Sequence, residues 1–233
     1  MEALRIEIDL VTPMVSPSMP IHLDALLAYA VTEDALSAME ELDGGEGPVR
    51  ELAEPAMESV LGKAQQDGEW VWMASALLPE DVGDAYLRMW TRKTDPYDIA
   101  DRVGGGQIAI RSKLPLKAFA LNVDTVRGPL KNHFNFYPVR EVGKLVAWCM
   151  GDAEVVYDLL EAHIQHVGHR RRSGHGKVKT IRVVQDAAAE TLWKMRVLPW
   201  QEEGYLPMQA AFRPPYWAIE NRLQAFCPPS ILG

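Results

Sequence analysis

The residues best equipped for chemistry lie in 163–183, HIQHVGHRRRSGHGKVKTIRV, where Arg170, Arg171, Arg172, Lys177, Lys179 and Arg182 stand without a single Asp or Glu. The stretch is locally about +6 in a chain of formal net charge −8. Averaged charge says little about a patch, so an acid-free cationic loop in an acidic chain is a candidate for contact with a polyanion. Gly168, Gly174 and Gly176 bracket the cations. Glycine accepts positive φ and close approach, which would let amide N–H groups and cations converge on phosphate. The plainer alternative is a solvated basic turn.

Histidines at 163, 166, 169 and 175 raise the question of a metal. His163 and His166 can share a helix face, but no acidic ligand lies near them in sequence and arginines crowd the site, so neither a metal nor a cofactor is expected. The loop lacks GxxxxGK[ST] and its glycines follow a helix rather than a strand, which argues against nucleotide triphosphate hydrolysis. GxSxG, HExxH and paired CxxC motifs are absent too. Catalysis would need histidine acid–base chemistry on RNA, with His22, His169 or His175 as candidates and the cations steadying phosphate. A second basic region runs from Arg88 to Lys144, with eleven Lys or Arg against five acids. There Arg88, Trp90, Arg92 and Lys93, and again Lys131, His133, Phe134 and Phe136, interleave cations with aromatics, as a site for single-stranded nucleic acid does. A solvated hairpin packed by its aromatics has the same composition.

These residues need elements to hold them. Residues 3–11 alternate Leu4, Ile6, Ile8 and Leu10 with Arg5, Glu7 and Asp9, which predicts a half-buried strand. A proline-rich loop follows, then a helix from about residue 21 with Leu23, Leu26, Leu27, Ala30 and Val31 as its apolar stripe. His22 and Asp24 fall in its first turn, where the acid suits the helix dipole. EWVWMASALL, 69–78, reads as a strand with Trp70 and Trp72 in the core. The basic region reads as extended and hairpin-rich, with Gly104–Gly106 as a flexible turn. A strand at 144–150 leads to Asp152 as the cap of a helix whose end meets the basic loop, and the strand GKVKTIRVV follows. The order fits an α+β fold built on a βαββαβ ferredoxin-like unit, or a duplicated one. Residues 185–233 read as a tail packing on the domain or on a neighbour.

Length allows one large or two small domains, and 48% hydrophobic with 24% charged residues is the balance of a globular protein rather than a disordered one. No segment reaches the ~18 apolar residues of a membrane span. Cys149 and Cys227 lack metal-ligand spacing and read as free thiols, with a reducing cytoplasm as the expected location. Residues 33–84 carry fourteen acids against Arg50 and Lys63, a poor surface for nucleic acid.

The helix followed by VGHRRRSGHGKV resembles the glycine-rich loop of the RAMP superfamily of CRISPR-associated proteins. TPMVSPSMPIHLDALLAYA, with KNHFNFYPV between the two, narrows the resemblance to the type IV (Csf) subunit that caps the 5′ handle of the guide RNA (crRNA). The likeness covers residues 1–184. It implies a ferredoxin-like RAMP domain with an inserted thumb at about 84–120, ahead of a C-terminal extension at 185–233. It also implies a non-catalytic subunit that binds the crRNA handle beside backbone RAMP subunits, a large subunit and the processing endonuclease, and that reaches target DNA near the protospacer-adjacent motif. Some relatives instead cut repeat RNA without metal. On this resemblance the handle contacts are Gly168, His169, Arg170, Arg171, Arg172, Ser173, Gly174, His175, Gly176 and Lys177, with His22, Lys131, Arg88, Trp90, Arg92 and Lys93 as further candidates.

Overall fold

The computed structural model describes residues 1–15, 19–41, 49–107, 124–127 and 130–232. Its first strand, β1 (Glu2–Leu10), buries Leu4, Ile6 and Ile8 completely and turns Arg5, Glu7 and Asp9 outward, as the alternation dictates. Helix α1 (Leu23–Glu41) follows, then α2 (Val49–Val60) and a hairpin of β2 (Lys63–Gln66) and β3 (Glu69–Trp72). Asp67 and Gly68 take φ of 54° and 86° in that hairpin's turn, the left-handed pair that a two-residue connection requires. Next come β4 (Leu78–Arg92), α3 (Pro96–Gly104), β5 (His133–Gly151), α4 (Ala153–His163), β6 (Val178–Gln185), α5 (Ala189–Leu192), β7 (Leu206–Ala211) and β8 (Arg222–Cys227).

The main sheet has the order β4-β5-β1-β6, with β1 antiparallel to both neighbours. Ile6 lies opposite Ala147 and Val183, and Ile8 opposite Leu145 and Ile181, so the inward residues of three strands form one apolar face. Leu23 and Leu27 of α1 and Val156 and Leu160 of α4 close over that face in a single core. Each such fully buried side chain contributes roughly 1.5–3 kcal/mol. The architecture is α+β and compatible with a ferredoxin-like unit. Among the described residues there is one four-stranded sheet, and the other strands form two-stranded ribbons, β2-β3 and β7-β8. No helix among them is long and apolar enough to cross a membrane.

Two expectations from sequence need correction. The strand expected over 69–78 ends at Trp72, because the backbone beyond it bonds to several partners: Ser75 donates to Trp148 and accepts from Leu23, and Ala76 donates to Met195. The basic region is not wholly extended. Asp95 accepts from the amide of Tyr97 and Pro96 occupies the first turn, which starts α3, and the glycine run serves as its end rather than as a flexible turn. Residues 86–138 form a compact unit of their own. Within it Phe134 and Phe136 meet edge to face at 5.1 Å on β5. Of the expected thumb at 84–120, residues 108–120 lie outside the described residues.

The tail belongs to the other unit, residues 1–85 and 139–233, and packs there through a second core in which Trp193, Val197, Leu198, Trp200 and Phe212 gather around Val71 of β3. Cys149 and Cys227 are buried free thiols, pushed by burial up to about 12 and about 11. At the heart of the attachment is Arg196, 0% exposed. Its guanidinium donates to the carbonyls of Trp72 (2.6 Å), Ala74 (2.8 Å) and Phe212 (2.6 Å), to the Tyr216 hydroxyl (2.7 Å) and to Asp24 Oδ2 (3.0 Å). Tyr216 donates in turn to Asp24 Oδ1 at 2.8 Å. Burial pushes the Asp24 carboxyl up while Arg196 and Tyr216 pull it back, and the guanidinium itself is held above its ordinary value by Asp24 against the effect of burial.

His22 completes this network. Its Nε2 accepts the Val197 amide at 3.2 Å and its ring stacks on Tyr216 at 4.8 Å, so the neutral imidazole is the form that fits. Burial, assisted by Arg196, lowers its pKa well below 6.5. When pH falls through about 6.5 the unfolded chain therefore takes up a proton before the folded one does, and stability is lost from there downward. Urea unfolding between pH 7 and pH 5.5 should show a fall approaching ~1.4 kcal/mol per pH unit from this one group. His22→Gln, which keeps an acceptor for Val197, should flatten that slope, and equal slopes for the two proteins would contradict the assignment.

Candidate nucleic-acid interface

The basic loop starts where α4 ends, and α4 is itself set by Asp152, whose side chain accepts from the amides of Glu154 and Val155. The loop is closed at its base by Val167 donating to Gly176 (2.8 Å) and Val178 to Gln165 (2.9 Å). The proline-rich segment then clamps it from the side. Val11 donates to the Lys177 carbonyl (2.8 Å), Gly176 to Pro13 (3.0 Å) and His169 to Val15 (3.0 Å), and Thr12 Oγ1 bridges the Gly174 carbonyl and the Lys177 amide. Proline has no amide to offer, so Pro13 is left as an acceptor: its carbonyl takes both Gly176 and, at 3.2 Å, His175 Nδ1.

This clamp explains two of the three glycines differently from the sequence expectation. Gly176 has φ +62° and a Cβ there would lie 1.8 Å from the Val167 carbonyl oxygen; Gly168 has φ +93° and its Cβ would meet Met14 Cγ at 2.8 Å. Both serve close contact within the protein. The amides of His169, Ser173, Gly174, Gly176 and Lys177 are likewise spent on internal hydrogen bonds and are not offered to a phosphate. Gly174, at φ +80°, has open space around it.

From this base the chain throws out its arginines. Arg170 takes φ 59° and opens a one-turn 3-10 segment, Arg171–Ser173, with Arg170, Arg171 and Arg172 all exposed. A non-glycine residue in this region costs roughly 1–2 kcal/mol, a strain the surrounding clamp sustains. Lys177 and Lys179 are also exposed. Arg182 is committed elsewhere, to Glu7 (2.9 Å) and Asp9 (3.2 Å) on β1. Burial works to raise the Glu7 carboxyl, but Arg182, Lys144 and Arg5 outweigh it and hold it below its ordinary value.

The tip overhangs an open groove of about 370 Å³ against α1, with Ile21, Ala25, Leu26 and Tyr29 below and Gly168, His169, Arg170 and Arg171 above. The groove continues past His166 to Glu33, His163, Arg172 and Ser173. Tyr29 was not among the sequence candidates. An aromatic on an apolar helix reads as core, and only the spacing Ala25, Tyr29, Glu33 marks a second face beside the core stripe.

The sequence candidates thus divide. Arg170, Arg171, Arg172, Ser173, His169 and Lys177 share one exposed tip. His22 and His175 are only 3% and 2% exposed, engaged by the tail and by Pro13, and are withdrawn from direct contact. His163 Nε2 sits 3.6 Å from Asp34, and among the described residues no three His, Cys, Asp or Glu are grouped as metal ligands. Arg88, Arg92, Lys93 and Lys131 are exposed and Trp90 half-buried, all within the unit 86–138. The two kinds of glycine separate experimentally. Gly174→Ala should cost about 1 kcal/mol, for conformation alone, whereas Gly176→Ala must also displace the Val167 carbonyl and should cost several times as much, read as the shift in urea midpoint. Equal shifts would contradict the clamp.

Compared with curated proteins, the chain has no match. A family model described as CRISPR type IV associated protein Csf3 matches residues 2–228, and so takes in β1, the clamped loop and, beyond the stretch covered by the sequence motifs, the tail through β8. The chain belongs to the Csf3 family of CRISPR type IV associated proteins.

Proposed function

We propose that this chain is a non-catalytic crRNA-binding subunit of a type IV CRISPR complex, with a ferredoxin-like RAMP domain that caps the 5′ handle of the guide. The observation that carries the reading is the rigid tip: three consecutive exposed arginines held over a groove by a clamped backbone. With the backbone already held, only side-chain freedom is lost on meeting phosphate, and arginine's planar fork matches phosphate oxygens. Single-stranded RNA fits better than duplex because the groove pairs cations with an apolar floor, and an apolar floor is of use only to an unpaired base or a ribose. Sequence reading of the target is left to guide pairing.

The non-catalytic part of the reading draws support from the histidines. Two of the three that acid–base chemistry would recruit, His22 and His175, are buried with a ring nitrogen already engaged. The same reading assigns the chain to the cytoplasm and gives it backbone RAMP subunits, a large subunit and the processing endonuclease as neighbours, with target DNA near the protospacer-adjacent motif as a further contact. The exposed basic residues of 86–138 are its second RNA surface.

Replacing Arg170, Arg171 and Arg172 together with alanine should weaken binding of handle RNA and flatten its salt dependence by about two in the slope of log K against log salt, at roughly 0.7 per phosphate contact on a single strand. Fluorescence anisotropy across a salt series measures both. An unchanged affinity and slope would overturn the proposal.

A further inference from the structure

We propose that the groove between α1 and the arginine tip is a subsite for one unpaired nucleobase, stacked on Tyr29 with its phosphate held at Arg170 and Arg172. The inference rests on the RNA-binding reading and adds to it a residue, a ligand part and an orientation. The core does not need Tyr29: Leu23, Leu27, Ala30 and Val31 already fill α1's inner face, and Tyr29 is left 39% exposed. What it does in the free protein is receive a cation, for the Arg171 guanidinium carbon lies 5.7 Å from its ring centroid. The ring face is therefore presented toward the tip. An exposed cation–π contact is weak, and a base can take its place or add to it, freeing Arg171 for phosphate.

Size and charge set the occupant. The part of the groove against Tyr29 encloses about 370 Å³, room for one base, and its extension past His166 about 810 Å³, room for the strand to run on. Beneath the rim Ile21, Ala25 and Leu26 supply apolar floor on the same side as Tyr29. Glu33, one helical turn beyond Tyr29, lines the extension of the groove with an acid. Arg170, Arg171 and Arg172 line the same extension, so the phosphate sits there against the arginines and the base lies over the apolar floor beside Tyr29. A surface that wanted only a polyanion would have neither the apolar floor nor this carboxylate.

The test uses the full chain, a fluorescent eight-nucleotide single-stranded RNA, and the same strand with abasic sites throughout. Wild type should bind the intact strand more tightly than the abasic one, by about 5- to 100-fold for one stacked base. Tyr29→Leu should bring the intact strand down to the abasic level, and Tyr29→Phe should stay within about twofold of wild type. Thermal melting confirms that the variants are folded, and the wild-type comparison of the two strands stands even if Tyr29→Leu is not. Equal binding of intact and abasic RNA, or displacement of both by poly-glutamate of the same charge, would mark a generic anion surface and overturn the inference. Unchanged binding by folded Tyr29→Leu overturns it as well, and leaves RNA binding by the tip in place if the triple arginine variant still fails. Absence of RNA binding by the wild type would overturn both.

Discussion

The fold depends on one buried cation. Arg196 brings a guanidinium into a fully buried site, where an unpaired ion would cost several kcal/mol, and besides the neighbouring Val197 carbonyl it finds acceptors at the end of β3, in the segment after it, in the tail at Phe212 and Tyr216, and at Asp24 in the first turn of α1. A buried ion pair is poor evidence for stability as such, since apolar packing of equal volume can do as well. What these convergent acceptors impose is geometry. The tail docks in one register, and α1 is held at its start by contacts that leave its outer face, with Tyr29, at a set height beside the basic loop.

The second constraint works on that loop from the other side. A glycine-rich turn left to itself has too much conformational freedom to present anything. Here the freedom is removed by the proline-rich segment, which cannot propagate a sheet but whose carbonyls and Thr12 hydroxyl are free to accept and bridge. Pro13 takes two hydrogen bonds and Val15 one, and Gly168 and Gly176 allow the two backbones to come close enough for this. The arginine tip is thus rigid at its root and exposed at its end.

Much of the scaffold was legible because it follows from local rules. The alternation of 3–11 became β1, Asp152 became a helix cap, and the cation run became an exposed tip between a helix and a strand. What escaped was decided by partners distant in sequence. His22 stood as a candidate RNA contact at a helix start, and only Val197 and Tyr216, far along the chain, make it a buried acceptor. His175 lies among exposed arginines in sequence and is buried by Pro13. The tail has no strong periodicity, because its ribbon β7-β8 buries only part of each strand. Helix α3 is a different case: Asp95-Pro96 is a local start signal, obscured by the basic and aromatic composition around it.

Charge is where sequence and structure must be combined. A net −8 argues against nucleic acid only if charges act at long range, and at physiological salt their reach is about 8 Å. Within that reach the count changes from the one made along the chain. Arg182 drops out, neutralised by Glu7 and Asp9 on the outer face of β1, while Glu33 and Asp34 enter, brought to the groove by α1 although they are far from the loop in sequence. The patch is smaller than the sequence total, and Glu33 lines the groove together with Arg170, Arg171 and Arg172. A uniformly basic loop would hold any polyanion in any pose. A short cationic tip beside an apolar floor and the Tyr29 ring offers two kinds of surface side by side, and that arrangement, more than the number of arginines, is what the clamp and the buried Arg196 network keep in place.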